Sequence, residues 1–264
     1  MTAPAGTWAD DLALALALGE RAAAVSLREL DQPRRVDTKS DSTPVTNVDY
    51  AVDRMLTAAL RAERPDDAIL SEESGKHGRS ARRWILDPID GTFNLLREHP
   101  HWGNHIALEV DGEIVVGVIT RPRLGMVWWA SLGGGAFSGP MGAPADASAK
   151  TTTPATRLRV STVTNISEAR VSSWTDDVAV IEAIKRLAVS PEPDMNDILG
   201  VAEGRHEAVV GSRGEIWDHA PAVLLVEEAG GRFRDHRGGN RIDIGPGHYT
   251  NGVIDSALGP VIDP

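Results

Sequence analysis

The sequence predicts a mixed α/β chain of the α+β kind, and three observations predict it. Two N-terminal stretches carry apolar residues at helical spacing. Residues 102 to 137 switch to strand-like apolar runs joined by turn signals. Beyond residue 158, short strand-like and helical pieces alternate, the pattern of helices laid over a sheet.

The first helix runs over 8–30, with Leu12, Leu16, Ala23, Leu27 and Leu30 on its apolar side and Pro33 past its end. The stretch DSTPVTNVDYAVDRMLTAALRAERPDD gives the second. Thr46 is placed to cap it, and Asp49 three residues on approximates a capping box. Val52, Met55, Leu56, Ala59 and Leu60 form its buried stripe. DAILSEESG reads as a short strand that stops in acid and glycine. In WILDPIDGTFNLL the apolar run Trp84-Ile85-Leu86 is a buried strand that ends at Asp87, and a helix starts near Gly91-Thr92.

Two apolar stretches flank Asp111-Gly112, a hairpin signal, and a third, Met126 to Ala130, extends them into an antiparallel meander closed by the turn-rich LGGGAFSG. Trp128 and Trp129 pack in it, one inward and one toward a dimer contact. The small, polar, Pro-bearing run over 138–157 is a surface loop or a seam. The alternating pieces after it are RLRVST, DVAVIEAIKRLAV, DMNDILGVAEGR, EAVVG, IWDHAPAVLLVEEAGG and RFRD. The expected organisation is an N-terminal α+β half over 1–140, a mobile loop or seam over 141–157 and a C-terminal α/β half over 158–264.

Composition narrows the function classes. The 264 residues are 41% hydrophobic and 25% charged, with a formal net charge of −11 and no cysteine. A chain this acidic does not suit a nucleic-acid backbone, although a small phosphorylated ligand is compatible if cations bridge it to the carboxylates. Disulfides, zinc–thiolate sites and thiol nucleophiles are excluded. The N-terminus lacks a cationic lead-in and reads as a helix, and no apolar run approaches a membrane span. The expectation is a cytoplasmic protein without a membrane partner.

Taken alone, Asp87 in DPID starts a turn and Asp90 caps a helix. Pro88 has no N–H to donate, so the segment offers carbonyl oxygens, that of Ile89 among them, beside both carboxylates. Free N–H groups at the following helix start favour an anion. Glu72-Glu73 and Asp218 lie at two further element boundaries, and all three clusters are read as strand-to-helix handovers. Gathered on one edge of a layered fold without Lys or Arg neighbours, such carboxylates would repel strongly unless cations compensated them. Oxygen-only ligands suit Mg²⁺.

SEESG (71–75), DPIDGT (87–92) and WD (217–218) followed by EEAGG (227–231) resemble the Mg²⁺-dependent, lithium-sensitive inositol monophosphatase superfamily, and the likeness runs over nearly the whole chain. LALALALGERAA, RRVDTKSDSTPVTNVDYAVD and RRWILDPIDGT are most similar to its histidinol-phosphate phosphatase branch. The resemblance implies a five-layered α-β-α-β-α sandwich of the inositol monophosphatase/fructose-1,6-bisphosphatase type, the site lying between the two halves, and a homodimer.

It also implies roles. Glu72, Asp87 and the Ile89 carbonyl would hold one Mg²⁺; Asp87, Asp90 and Asp218 would hold a second; Glu72 would touch a third. Mn²⁺ would substitute and Li⁺ inhibit. Water activated by the metals would attack phosphorus in line with the leaving oxygen. Thr92 would orient it, with Glu72 as proton acceptor and Asp49 hydrogen-bonded to Thr92. The N–H groups of Gly91 and Thr92 would cradle the phosphate.

The best expectation is therefore a phosphomonoesterase of the histidinol-phosphatase kind, with Asp194 and Glu215 facing the substrate. Phe93 stands where that branch typically has Lys, and Pro193-Asp194-Met195 keeps only the acid of its Gly-Asp-aromatic segment. Inositol 1-phosphate or another cyclitol, sugar or nucleoside monophosphate, one met in a specialised biosynthetic pathway included, thus stays open. So does a non-enzymatic regulatory protein on the same fold.

Overall fold

The computed structural model describes residues 7–39, 42–142 and 155–262. Ala9–Leu30 form α1 and Asn47–Glu63 form α2, with the antiparallel pair β1 (Val36–Thr38) and β2 (Pro44–Thr46) between them. Thr46 caps α2: its hydroxyl accepts from Val48 N at 3.1 Å, while Asp49 Oδ2 accepts from Thr46 N at 2.9 Å, so the capping box is present.

The large sheet comprises β3 (Ala68–Ser71), β4 (Gly75–His77), β5 (Arg82–Asp90) and, after the short helix α3 (Thr92–Leu96), β6 (Gly103–Val110) and β7 (Glu113–Arg121). It continues with β8 (Met126–Ser131), β9 (Gly135–Pro140) and β10 (Thr156–Arg157). The spatial order is β10-β9-β8-β7-β6-β5-β3-β4, with β3–β5 as its parallel pairing. Asp111 and Gly112 both take positive φ, 52° and 86°, as the two-residue β6–β7 hairpin requires.

The second sheet is smaller. Its strands are β11 (Val171–Ser173), β12 (Ala208–Ser212), β13 (Arg232–Asp235) and β14 (Gly247–Thr250), in the order β11-β12-β14-β13. Among them run α4 (Val178–Leu187), α5 (Asp197–Ala202) and α6 (Ile216–Glu228), and α7 (Asp255–Ile262) follows.

Apolar cores separate five layers. Leu18 of α1 and Val52 and Leu56 of α2 pack with Trp84, Leu86, Ile106, Val118 and Trp129 on one face of the large sheet. Ile119, Trp128 and Ala136 on its other face pack with α5 and α6 and with Val209, Phe233 and Tyr249 of the small sheet. Val171, Ala208 and Val210 face away from that core, toward Ile184 of α4 and Leu258 of α7. The result is an α-β-α-β-α sandwich. Neighbouring Trp128 and Trp129 divide between two cores because strand side chains alternate; both are buried, so neither is the surface tryptophan expected at a dimer contact.

Helix α6 lies between two sheets and is apolar on nearly every side. It packs tightly on β7 at Gly117, where a Cβ would sit 2.9 Å from the Pro221 carbonyl oxygen. This depth brings the α6 N-terminus to the end of β5.

Other expectations need correction. β5 does not stop at Asp87: it continues through Asp90 with a register shift, Asp87 opposite His105 and Asp90 opposite Gly103. One extra residue on β5 makes a bulge, the usual accommodation for a proline that cannot donate to the ladder. Asn104 Nδ2 donates to the Pro88 carbonyl at 2.6 Å and pins the bulge. LGGGAFSG is not only a closing turn, since most of it is β9, whose Phe137 stacks on Trp129 with ring centroids 6.0 Å apart. RLRVST contributes no strand beyond Arg157, and β11 carried no signal in the sequence. Of the loop or seam expected over 141–157, residues 143–154 lie outside the described residues, while Thr156 and Arg157 pair with β9.

Candidate active site

The bulge sets the site. Asp87 and Asp90 are both buried at the end of β5, and the Ile89 side chain enters the first core. Gly91, at φ 83°, takes the left-handed conformation that turns the chain into α3. Thr92 then opens α3, where backbone N–H groups have no preceding helical carbonyl to bond. Thr92 Oγ1 lies 3.1 Å from Asp49 Oδ1 and 3.2 Å from the Ile89 carbonyl oxygen.

Glu72 and Glu73 come from the β3–β4 turn, which is a hairpin turn and not a handover to a helix; Glu72 N donates to the Leu86 carbonyl at 3.1 Å, fixing the turn to β5. Asp218 is the third residue of α6, not its cap, and its Oδ2 accepts from Glu215 N at 2.6 Å. These pieces meet. Glu72, Asp87, Ile89, Gly91, Thr92, Asp194, Glu215 and Asp218 line one cleft of about 900 Å³. Asp49 sits behind Thr92. Asp90 faces an adjoining cavity of about 180 Å³, which it shares with Asp194 and Asp218.

Helix α2 supplies two acids one turn apart. Asp49 accepts from Thr46 and lies against Thr92, whereas Asp53 Oδ1 accepts from Ser71 Oγ at 2.5 Å and Ser74 Oγ at 3.0 Å. The same helix face therefore braces both the DPIDGT turn and the SEESG turn.

The expectation of a cluster without basic neighbours is wrong at both ends. Lys39 Nζ donates to Glu72 Oε1 at 2.7 Å and Glu73 Oε1 at 2.6 Å. Arg121 Nη2 and His105 Nε2 each lie 3.1 Å from Asp90 Oδ2. Neither cation is near the carboxylates in sequence; the strand order delivers Arg121 to them, from β7 across β6.

The centre of the site is different. Burial, then the charges of Glu72, Asp218 and Asp90, push the Asp87 carboxyl well above the usual carboxylate range. Burial, then Asp90, push Asp218 up to about 7. Burial also raises Glu73 to about 7 against the opposing pull of Lys39, and raises Asp49 against its bonds to Thr46. For Asp90 burial is overcome by His105 and Arg121, and the carboxyl falls to about 2. The charges of Glu72 and Asp218 both act on Asp87, a crowding that buried carboxylates relieve by sharing a proton or a cation.

A divalent ion fits this donor set. Asp87 Oδ1 is buried with no hydrogen-bond partner among the described residues, in a setting of hard oxygen donors. Single donor atoms of Asp87, Asp90 and His105 also lie within 4.8 Å of one another.

Sequence reasoning missed several residues here. Lys39, Asp53, His105 and Arg121 carry no local signal, since only the fold brings them to the site. Asp197 is another: buried at the start of α5, it accepts from Ser172 Oγ, from Trp174 Nε1 at 3.2 Å and from Asp194 N at 2.8 Å. Asp194 itself is 2.8 Å from His101 Nδ1, so it is engaged and not a freely solvated acid.

A five-layered sandwich with a carboxylate nest beside an anion-accepting turn defines a metal-dependent phosphatase. The chain belongs to the inositol monophosphatase family, whose sequence model matches residues 8–257. It is 41% identical over 256 residues to a glucose-1-phosphate thymidylyltransferase of Streptomyces griseus, covering 96% of both chains. It is 36% identical over 260 residues to a histidinol-phosphatase of Mycobacterium tuberculosis, covering 93% of this chain and 95% of that one. Among solved structures, the inositol monophosphatase of Thermotoga maritima superposes with a TM-score of 0.81 at 25% identity, covering 96% of this chain and 97% of that one. Among the described residues, no helix is long and apolar enough to cross a membrane.

Proposed function

We propose that the chain is a Mg²⁺-dependent phosphomonoesterase acting on a small phosphorylated amino alcohol or polyol, histidinol phosphate first among them. The observation that carries the metal assignment is the buried, unpartnered Asp87 Oδ1 between Glu72 and Asp218. Glu72, Asp87 and the Ile89 carbonyl would hold one ion and Asp87, Asp90 and Asp218 a second, with Glu72 reaching a third and Mn²⁺ as a substitute. Such an ion supplies Lewis acidity toward phosphoryl oxygens and makes water more acidic.

The protein's own groups do the remainder. Asp49 Oδ1, 3.1 Å from Thr92 Oγ1, would accept the single Thr92 hydroxyl proton, so the Thr92 oxygen would turn its lone pairs to the cleft, where they would orient water. Glu72, on the same wall, accepts the proton that water releases. Gly91 and Thr92 N–H groups would donate to the phosphate oxygens.

Two features support the substrate class. The cleft wall carries Asp194 and Glu215 beside Phe93 and Trp174, a combination suited to a leaving group with ammonium or hydroxyl groups on an apolar or ring frame. Histidinol-phosphatases recur among the relatives at 33–36% identity. Nucleotidyl transfer, the activity named for the Streptomyces griseus relative, is less well served: Arg97 is the arginine of a cleft wall otherwise carrying Glu72, Asp87, Asp194, Glu215 and Asp218, poor provision for a nucleoside triphosphate.

Cyclitol monophosphates are the second reading, favoured by Phe93 and by a relative named inositol-1-monophosphatase in Rhizobium meliloti, 32% identical over 250 residues. The proposal includes a homodimer in the cytoplasm and a cleft walled by both the 1–140 and the 158–264 segments. Phosphate release from a panel of phosphomonoesters, with Mg²⁺ and with EDTA, tests it. Turnover of histidinol phosphate that EDTA abolishes is expected. Faster turnover of a cyclitol phosphate moves the substrate to the second reading, and no turnover of any ester contradicts hydrolysis.

A further inference from the structure

We propose that Arg121 is a fixed counter-cation of the site, supplying part of the positive charge that bound divalent ions would otherwise provide, and that it weakens the ion sharing Asp90. The inference rests on the reading that Asp87, Asp90 and Asp218 hold divalent metal.

The geometry is specific. Arg121 has a side chain 2% exposed, and its Nη2 lies 3.1 Å from Asp90 Oδ2. The guanidinium cannot readily swing away, because its other N–H groups are taken. Nε donates to Asn196 Oδ1 at 3.0 Å, Nη2 also reaches the Met195 carbonyl oxygen at 3.4 Å, and Nη1 reaches the Thr120 carbonyl oxygen at 3.4 Å. His105 Nε2 lies on the same Asp90 oxygen at 3.1 Å and 3.3 Å from Arg121 Nη1. A planar guanidinium bound at several points is a stable partner for a buried carboxylate.

Two consequences follow from charge and from lone pairs. Asp90 Oδ2 is committed to two nitrogen groups, so Oδ1 is the oxygen left for an ion. A divalent cation drawing close to Asp90 also meets a full positive charge a few ångströms beyond it, with little water between to screen them. Among the described residues no cation pairs with Asp87 itself, whose neighbours are Glu72, Asp90 and Asp218. Lys39 pairs with Glu72 Oε1 at 2.7 Å, but its side chain is 19% exposed against 2% for Arg121, so water screens it more. Two otherwise similar positions should therefore differ in affinity: one ion held tightly by Glu72, Asp87 and the Ile89 carbonyl, the other, on Asp90, held weakly.

Mn²⁺ titration of metal-free protein, read by the electron paramagnetic resonance of free Mn²⁺ and by calorimetry, tests this without reference to turnover. Wild type should show one tight and one weak ion. Arg121→Met should tighten the weak ion roughly tenfold or more, the order of effect for a buried unit charge at this range. Arg121→Gln, which keeps hydrogen-bonding capacity toward Asn196 and Met195, should do the same, whereas Arg121→Lys should keep the wild-type pattern. Circular dichroism melts select the variants that fold, and Gln replaces Met if only the latter fails. Unchanged affinity of the weak ion in a folded, charge-removing variant overturns the inference alone. If wild type binds no Mn²⁺, or Asp87→Asn binds it as wild type does, the metal reading fails and takes the inference with it.

Discussion

Asp87 and Asp90 stand three residues apart on one strand, both buried, yet their surroundings are opposite. Asp90 has Arg121 and His105 on a single oxygen and is held near pKa 2. Asp87 has an oxygen unpartnered among the described residues, three acidic neighbours and a carboxyl raised well above its usual range. The same residue type in the same motif is thus a satisfied ion pair in one place and an open ligand in the other. The neighbouring strands and α6 make the difference, and it identifies Asp87 as the position where a cation is most needed.

The largest effect should come from activity. Asp87→Asn removes the central ligand and should lower Mg²⁺-dependent phosphate release by roughly a thousandfold or more, the scale of losing a preorganised electrostatic element. A steady-state assay at saturating Mg²⁺ checks it, and a loss under tenfold would erase the functional distinction of Asp87.

Stability should reverse the ranking. In EDTA, Asp90→Ala leaves Arg121 buried without its carboxylate and should cost about 3–5 kcal/mol. Asp87→Ala relieves repulsion and should be neutral or stabilising. Urea unfolding of both variants without metal measures the contrast; equal destabilisation would break it.

The acids at the centre also predict a pH dependence. Asp218 and Glu73 have folded-state pKa values raised to about 7 above ordinary values near 4. Between those values the folded state binds more protons than the unfolded one, so their contribution to stability is fully present in acid and is lost as pH rises through about 7. Metal-free protein should therefore unfold more readily at pH 8 than at pH 5.5 through these groups, and saturating Mg²⁺ should flatten that slope. Thermal melts with and without EDTA read both parts; a metal-free protein steadier at pH 8 would count against the uncompensated centre.

The smallest effect belongs to the braces behind the site. Asp49→Asn keeps an acceptor for Thr92 but loses charge, and should reduce kcat roughly 10–100-fold, as changes behind a metal site do, with KM little altered. Equal loss in kcat and a large rise in KM would instead place Asp49 in substrate binding.

What could be read from the sequence follows the same division. Helices α1 and α2, the Asp111-Gly112 hairpin and the acids at SEESG, DPIDGT and WD were legible because each carries its signal within a few residues: a 3.6-residue period, a turn pair, a carboxylate beside proline or glycine. The passage of β5 through Asp87–Asp90 was not, since a bulge around Pro88 exists only because β6 pairs on both sides of it and Asn104 holds the Pro88 carbonyl. Strand β9 was hidden by glycines whose ladder bonds are supplied by β8. Lys39 and Arg121 were invisible as site residues because an ion pair across strands has no local pattern. In this molecule the open carboxylates announce themselves in sequence, and the cations that temper them do not.

The most direct test of the central claim is a crystal soaked in Mn²⁺ and measured at an energy where manganese scatters anomalously. The strongest anomalous peak should lie within bonding distance of Asp87 and Glu72, with any peak on Asp90 weaker. Anomalous density absent from Asp87, or found only at carboxylates outside this cleft, would contradict it.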